Sequence, residues 1–269
     1  MYKLVALDMD GTLLNSHKAI SPRTKQTIQE ARDKGVHVVL ASGRPLEGMT
    51  RYLDELGMTS EQDYVLSYNA SLVQRVASKE VIRKQIMTGL DAKNLAALAD
   101  ELGTYIHAFS TERGLITPLA NPITQHEADI NQISSSVFDF ADLADDDEII
   151  KVMLVAPEEV LSNAIAQLPA DLYSQYTVVQ SSPVFLEIMN KHSNKGTGVA
   201  MLAEHLNIDA SEVICMGDAG NDHHMIEYAG LGIAMGNASD DIKALANHIT
   251  LSNDEDGVAV AIEQFILNA

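Results

Sequence analysis

The hydrophobic pattern alternates between short apolar, β-branched runs and longer stretches with helical spacing. Residues 3–7 (KLVAL) read as a buried strand that ends at Asp8. Ser21 and Pro22 mark a helix start, an N-cap followed by proline at the first helical position. That helix is expected to run to Lys34 and stop at Gly35. Residues 36–41 predict a second strand, Ser42-Gly43-Arg44-Pro45 the opening of a second helix, Gly57 its stop, and residues 65–68 a third strand. Strands alternating with helices, each strand apolar throughout, predict a parallel sheet with crossover helices.

The pattern changes near residue 71. Residues 72–76 and 81–86 predict an antiparallel pair, and residues 91–102 a helix capped by Asp91 and stopped by Gly103. Strands are expected at 105–109, 115–119, 149–155, 177–180 and 185–189, with a helix at 158–168 between two prolines. This is an α+β arrangement with helices covering one face. Residues 121–148, with acidic and serine clusters, read as mobile connections. After residue 193 the first pattern returns, with helices expected at 198–206, 221–228, 240–246 and 258–267 and strands at 213–216, 232–235 and 248–251. The fold class expected is α/β. A doubly wound, Rossmann-like parallel sheet is built from residues 1–84 and 194–269, and an α+β domain of residues 85–193 is inserted into it.

Charge narrows the function classes. The 269 residues carry 38 acidic and 18 basic side chains, a formal net charge of −20. A nucleic-acid binder needs a basic face to displace counterions, and an anionic membrane would repel such a chain. The excess is uneven. Residues 1–84 hold twelve basic and ten acidic side chains, residues 85–193 four and sixteen, and residues 194–269 two and twelve. Solubility accounts for most of it, but the two cations of the last stretch, Lys195 and Lys243, stand out. No apolar run approaches the roughly 20 residues of a membrane span, and the first residues are too short and too acidic for a secretory signal. One cysteine, Cys215, leaves no internal disulfide and no cysteine-rich zinc site. A cytoplasmic location is expected.

Four segments carry chemistry. Asp8-Met9-Asp10-Gly11 follows the first strand directly, where open α/β sheets bind ligands. Ser42-Gly43-Arg44 offers a hydroxyl and main-chain N–H groups for an anion at an expected helix start. Asn194-Lys195-Gly196 opens another helix. A cation there opposes the helix dipole by roughly 0.3–1 kcal/mol, so Lys195 is expected to face an anion. Gly217-Asp218-Ala219-Gly220-Asn221-Asp222 gathers two carboxylates and an amide after a buried strand, oxygen ligands suited to a hard cation such as magnesium. Together they make the parts of a magnesium-dependent phosphoryl-transfer site. Other residues carry less. His223 and His224 are adjacent and would point about 100° apart on a helix. Cys215 reads as a small core residue, and Phe185 as sheet packing.

In this order the segments DMDGTLL, ASGR, NKG and GDAGNDHHM resemble the haloacid dehalogenase superfamily of phosphatases over essentially the whole chain. The insertion between the second and third motifs resembles a type-two cap. The stretch FLEIMNKHSNKGTGVAMLAEHLNI is similar to the Cof-type subgroup IIB, which includes bacterial sugar phosphatases. The resemblance implies that Asp8 is the nucleophile that forms an aspartyl-phosphate and that Asp10 is the acid and then the base. It implies that Mg2+ is held by Asp8, the main-chain carbonyl of Asp10 and Asp218, with Asp222 orienting the metal shell. Met9, Ser42, Gly43, Lys195 and Asn221 would bind phosphate or substrate. The implied partner is a small phosphorylated metabolite, a sugar phosphate first, with no nucleic acid and no membrane. The alternatives are a phosphomutase and a non-catalytic phosphoacceptor or phosphate-sensing module. As general acid Asp10 must start protonated, so its surroundings are expected to raise its pKa. One departure from the subgroup is Asn69-Ala70-Ser71, where glycine usually stands at the position of Ala70. Alanine uses positive φ less freely.

Overall fold

A computed structural model gives the fold and describes residues 1–268. The chain forms two compact units, Met1–Lys84 with Asn194–Ala269, and Gln85–Ser193.

The first unit is built on an eight-stranded sheet. Its order is His248–Ile249, Leu231–Ala234, Val213–Gly217, Leu4–Asp8, His37–Ala41, Tyr64–Ser67, Leu72–Arg75 and Val81–Lys84. The first six strands are parallel, Leu72–Arg75 runs against them, and Val81–Lys84 pairs antiparallel with Leu72–Arg75. The central strand has no exposed side chain from Leu4 to Leu7 because helices cover both faces. Val5 and Leu7 pack with Ile28 and Ala31 of the helix Pro22–Asp33 and with Ile262 of Gly257–Ile262. Leu4 and Ala6 pack with Val199 and Leu202 of the helix Lys195–Leu206. This period-two division, apolar on both sides, is why the strands read as continuous hydrophobic runs. Register then sets the working edge. Leu7 lies between Leu40 and Met216, and Asp8 lies opposite Ala41. Asp8, Ser42 and Asp218 therefore emerge side by side at the carboxyl ends of three neighbouring strands.

Several local expectations change. The chain does not enter a helix at Ser42-Gly43-Arg44-Pro45. It stays irregular until a 3-10 turn at Glu47–Met49, which leads into Thr50–Glu55, so Ser42 and Gly43 lie in a strand-end loop. The second expected difference is at Ala70, whose φ is +65°, the last of three consecutive left-handed residues after Tyr68 and Asn69. Such a conformation costs an L-residue roughly 1–2 kcal/mol. Main-chain bonds to the Ser42 loop hold it there: Tyr68 N–H donates to the Arg44 carbonyl at 3.0 Å and Asn69 N–H to the Ser42 carbonyl at 2.8 Å. The methyl of Ala70 is buried above Gly198, where an added Cβ would come within 2.2 Å of it.

The second unit is a mixed sheet in the order Tyr176–Ser182, Phe185–Asn190, Glu148–Val155, Tyr105–Ser110, Gly114–Thr117 and Ser135–Val137, with Met87–Thr88 pairing against Glu148–Val155. One face packs on Leu95 and Ala99 of the helix Gly89–Leu102 and on Leu161 of Glu158–Ile165. Thr88, not Asp91, caps the first of these. Asp91 closes a capping box by accepting from the Thr88 N–H at 2.8 Å. Residues 121–148, where mobile connections are expected, contain the helix Pro122–Asn131, the strand Ser135–Val137 and a 3-10 turn at Phe140–Asp142. Asn121 caps the helix Pro122–Asn131 by accepting from Thr124 N–H at 2.8 Å, a cap-and-proline start masked by the surrounding charge. This helix covers the second sheet face, so helices lie on both faces and not one. Its Thr124 lies 2.9 Å from His107 Nδ1, and its Glu127 lies 3.9 Å from the buried Lys151 ammonium, which also has Glu187 at 3.3 Å. Burial, and then the charge of Lys151, push the His107 imidazole down to about 3. Among the described residues no helix is long and apolar enough to cross a membrane.

Gly198→Ala is expected to destabilise the first unit by about 1–3 kcal/mol through overpacking. Ala70→Gly in the same chain removes the methyl that is struck and is expected to recover part of the loss. A double-mutant cycle by urea unfolding checks the coupling.

His107 is buried neutral, so its folded pKa lies below the unfolded value of about 6.5. The unfolded chain then binds the extra proton as pH falls, and this residue's contribution is complete above about 6.5 and is lost progressively below it. From pH 7 to pH 5 it should remove about 2 kcal/mol of stability. Urea unfolding of His107→Gln at both pH values is expected to show a loss smaller by that amount.

Candidate active site

The site begins with one buried cation. Asn194 caps its helix by accepting from the Thr197 N–H at 2.9 Å, which puts Lys195 at the first helical position. The ammonium is fully buried and donates to Asp8 Oδ1 and, at 2.7 Å, to Asp222 Oδ1. The anions that Lys195 faces are thus two carboxylates of the strand ends. Burial pulls the ammonium pKa down, but Asp222 and Asp8 outweigh it and hold the group above its ordinary value.

Asp222 turns back on its own segment. Its Oδ2 accepts from the N–H groups of Asp218 and Ala219 at 2.9 and 3.1 Å, which fixes the loop between strand and helix. Asp218 Oδ1 accepts from the Thr12 hydroxyl at 2.8 Å. Gly11 lets the first segment pass beneath: φ there is +90°, and an added Cβ would lie 2.3 Å from Asp218 Oδ2. Asp8, Asp218 and Asp222 each offer one oxygen within 4.8 Å of the others. Burial pushes the Asp8 carboxyl well above its usual range, Asp222 and Asp218 add to it, and Lys195 offsets only part. Three carboxylates against one ammonium leave an excess of negative charge among hard oxygen donors, which fits a divalent cation such as Mg2+. Asp8 and Asp218 are the direct candidates to hold it, since both oxygens of Asp222 are already bonded within the protein.

Asp10 does not join this cluster. Lys18 donates to Asp10 Oδ1 at 2.8 Å, and Arg44 grips both oxygens, with Nη2 at 3.0 and 2.8 Å and Nε at 3.2 Å. Burial pushes the Asp10 carboxyl up, but the hydrogen bonds and charges of Lys18 and Arg44 outweigh it and hold the pKa below its ordinary value. That is opposite to the rise expected of a general acid, and the reason is two cations supplied by neighbouring loops.

The other expected residues are placed as follows. The Met9 side chain packs in the core, so contact with a ligand falls to its main chain. The Ser42 hydroxyl is buried and accepts from the Arg44 N–H at 3.3 Å. An added Cβ at Gly43 would meet Asn69 Nδ2 at 3.2 Å, and Asn221 Nδ2 donates to Asn69 Oδ1 at 3.3 Å. Asn69 thus links the Ser42 loop to the Asn221 turn. Sequence reasoning gives no role to Thr12, Lys18, Arg44 or Asn69. Of these, Thr12 and Arg44 carry a signal as neighbours of Gly11 and Gly43, and Asn69 as the first residue of the Asn69-Ala70-Ser71 junction; Lys18 carries none. His223 and His224 lie outside the acidic group. Burial pushes the Cys215 thiol far up, as suits a core residue.

Residues 5–262 match the family of haloacid dehalogenase-like hydrolases. The chain is 41% identical to the Bacillus subtilis (strain 168) protein named "Putative phosphatase YxeH", over 99% of each. It is 34% identical to the 5-amino-6-(5-phospho-D-ribitylamino)uracil phosphatase YcsE of the same organism, over 98% of this chain and 96% of that one. A crystal structure of a haloacid dehalogenase-like hydrolase from Bacteroides thetaiotaomicron superposes with a TM-score of 0.86 at 34% identity, covering 99% of this chain and all of the other.

Asp222→Ala is expected to cost about 3 kcal/mol or more of stability, because it removes one of the two carboxylates that balance a fully buried ammonium and the acceptor of two N–H groups. Asp222→Asn, which keeps an acceptor oxygen, should cost less. Chemical denaturation of both variants checks the order.

Proposed function

We propose that the chain, which belongs to the haloacid dehalogenase-like hydrolases and is a phosphoric monoester hydrolase, is a magnesium-dependent phosphatase of the Cof-type IIB branch that acts on small phosphorylated metabolites, sugar phosphates first among them. The observation that carries this reading is the Lys195 ammonium shared by Asp8 and Asp222 at the strand ends. It aims one carboxylate, Asp8, as a nucleophile and commits the other to holding the loop. The YcsE relative, named for a phosphorylated ribitylamino compound, supports a polyhydroxylated leaving group.

In the proposed reaction Asp8 attacks phosphorus as the bond to the leaving oxygen breaks, giving an aspartyl-phosphate and an alcohol that takes its proton from Asp10. Asp10 then removes a proton from water, which attacks the phosphorus, releases inorganic phosphate and restores Asp8. To act at the leaving oxygen, Asp10, which Lys18 and Arg44 hold ionised, has to exchange its bonds to them for one to substrate and take up a proton from solvent as it does so. Lys195, Ser42, Asn221 and the main chain at Met9 and Gly43 would bind the phosphoryl oxygens. Asp8, the Asp10 carbonyl and Asp218 would hold magnesium, with Asp222 behind them. When bound, the ion supplies the positive charge that lets a phosphate approach three carboxylates. The unit Gln85–Ser193 contributes none of these groups and is assigned the role of a cap that selects the leaving group. A small phosphorylated metabolite is the proposed partner, and a cytoplasmic location follows from such substrates.

The experiment is a phosphate-release screen over phosphorylated metabolites with magnesium present. Sustained release over many cycles is expected, whereas a stoichiometric stop would mark a phosphoacceptor. Asp8→Asn should abolish turnover because an amide is a poor nucleophile. Lys195→Ala should lower kcat/KM by on the order of 2–4 kcal/mol. Normal turnover by Asp8→Asn would overturn the mechanism.

A further inference from the structure

We propose that Lys18 and Arg44, backed by Arg51, form a binding site for a second anionic group on the leaving-group side of the substrate, a carboxylate or a phosphate, and that the Asp10 carboxylate fills this site in the arrangement seen here. The inference rests on the phosphatase reading above, and it names a substrate class: phosphate monoesters whose leaving group is itself charged, such as phosphorylated sugar acids and sugar bisphosphates.

The grip on Asp10 has the form of anion recognition. Arg44 presents two nitrogens to both carboxylate oxygens, and Lys18 closes on one of them. A planar fork and a point charge converging on one anion is the usual chemistry for carboxylate and phosphate.

The cations are held in place by the fold. Asn15 Oδ1 accepts from the N–H groups of His17 and Ala19, both at 3.0 Å, and Lys18 takes a left-handed φ of +57° at the tip of this turn. The Lys18 carbonyl in turn accepts from Arg51 Nη2 and from the Tyr52 hydroxyl, each at 3.4 Å. The Tyr52 ring is buried, with the guanidinium groups of Arg44 and Arg51 at 5.9 and 4.3 Å from its centroid.

The local charge is out of balance. Two cations, Lys18 and Arg44, meet one carboxylate, and Arg51 stands behind them against the Lys18 carbonyl and the Tyr52 ring, in a chain whose net charge is −20. Arg51 has no carboxylate partner among the described residues, so the group keeps a positive surplus even with Asp10 in place. Once Asp10 turns to the leaving oxygen, that surplus grows by one and sits beside the leaving group. An anion on the substrate would take the vacated position and help Asp10 to leave it. An uncharged leaving group would instead have to draw Asp10 out of two ion pairs with nothing to replace it.

The test compares matched substrates that differ in one anionic group: 3-phosphoglycerate against glycerol 3-phosphate for a carboxylate, and glucose 1,6-bisphosphate against glucose 1-phosphate for a phosphate. In the presence of magnesium, kcat/KM is expected to favour the charged member of at least one pair by tenfold or more, and the favoured pair identifies the anion. Lys18→Gln and Arg44→Gln should each shrink that ratio at least fivefold, and Arg51→Gln should shrink it less. Titration calorimetry of the Asp8→Asn protein with the same four compounds reads the preference without turnover, so a failure of the phosphatase reading shows separately as absent phosphate release. Equal use and equal binding of both members of each pair would overturn the proposal. So would variants that slow both members alike, because the two cations would then only position Asp10.

Discussion

The ammonium of Lys195 is the constraint on which the rest of the first unit depends. It has no exposure to water, and a cation so placed is tolerable only if carboxylates meet it at hydrogen-bond distance. Those carboxylates come from residues 187 and 27 positions away in the chain. Strand register, the Asn194 cap and the turn after Gly217 must therefore all be correct before the charge is balanced. Low polarity strengthens the attraction and makes every misplacement expensive. The pairing thus specifies the geometry of the strand ends more than it adds net stability.

The same constraint separates the two aspartates of the first motif. Asp8 is the last residue of a strand with helices on both faces, so its carboxylate has only the buried side of the site to enter. Asp10 follows it by two residues but lies beyond the end of the strand, just before the left-handed turn at Gly11. Water and the loops of Lys18 and Arg44 are then within its reach, and its charge is balanced by one exposed and one half-buried cation and not by a fully buried one. In the proposed mechanism a buried nucleophile needs a fixed geometry, whereas a residue that gives a proton and later takes one needs an alternative resting place, which Lys18 and Arg44 provide. One short segment can serve both needs because the polypeptide leaves the core between them.

What can be read from the sequence follows the same division. Buried strands write themselves as apolar runs, and functional carboxylates at their ends stand out against that background. Asp8, Asp218, Asp222 and Lys195 are legible for this reason, and the structure brings them together. Lys18 is not, because a lysine in a polar turn looks like any solvated lysine and its partner is set by the tertiary path of residues 15–19. The low pKa of Asp10 is illegible for the same cause. The helix Pro122–Asn131 is hidden by charge, although Asn121 and Pro122 carry its start. The left-handed turn at Ala70 follows from main-chain bonds to the Ser42 loop, which no local propensity encodes, and Gly198 shows its reason only when the methyl above it is seen.

A strongly acidic enzyme with anionic substrates has to concentrate its attraction. Under physiological salt, exposed charges are screened beyond about 8 Å, so the net negative charge of the chain exerts little long-range force on an anionic substrate. Short-range contacts decide capture there. The structure supplies them in two forms, a single cation sealed among carboxylates and the pair Lys18 and Arg44 that shares the Asp10 carboxylate. The first is fully buried and positions chemistry. The second keeps Lys18 largely in water, so its partners can exchange at low cost. Burial therefore divides the work among the cations of this site. The sealed one fixes the Asp8 carboxylate, and the more accessible ones are the ones that, on the proposal above, would trade an internal anion for one brought by a ligand.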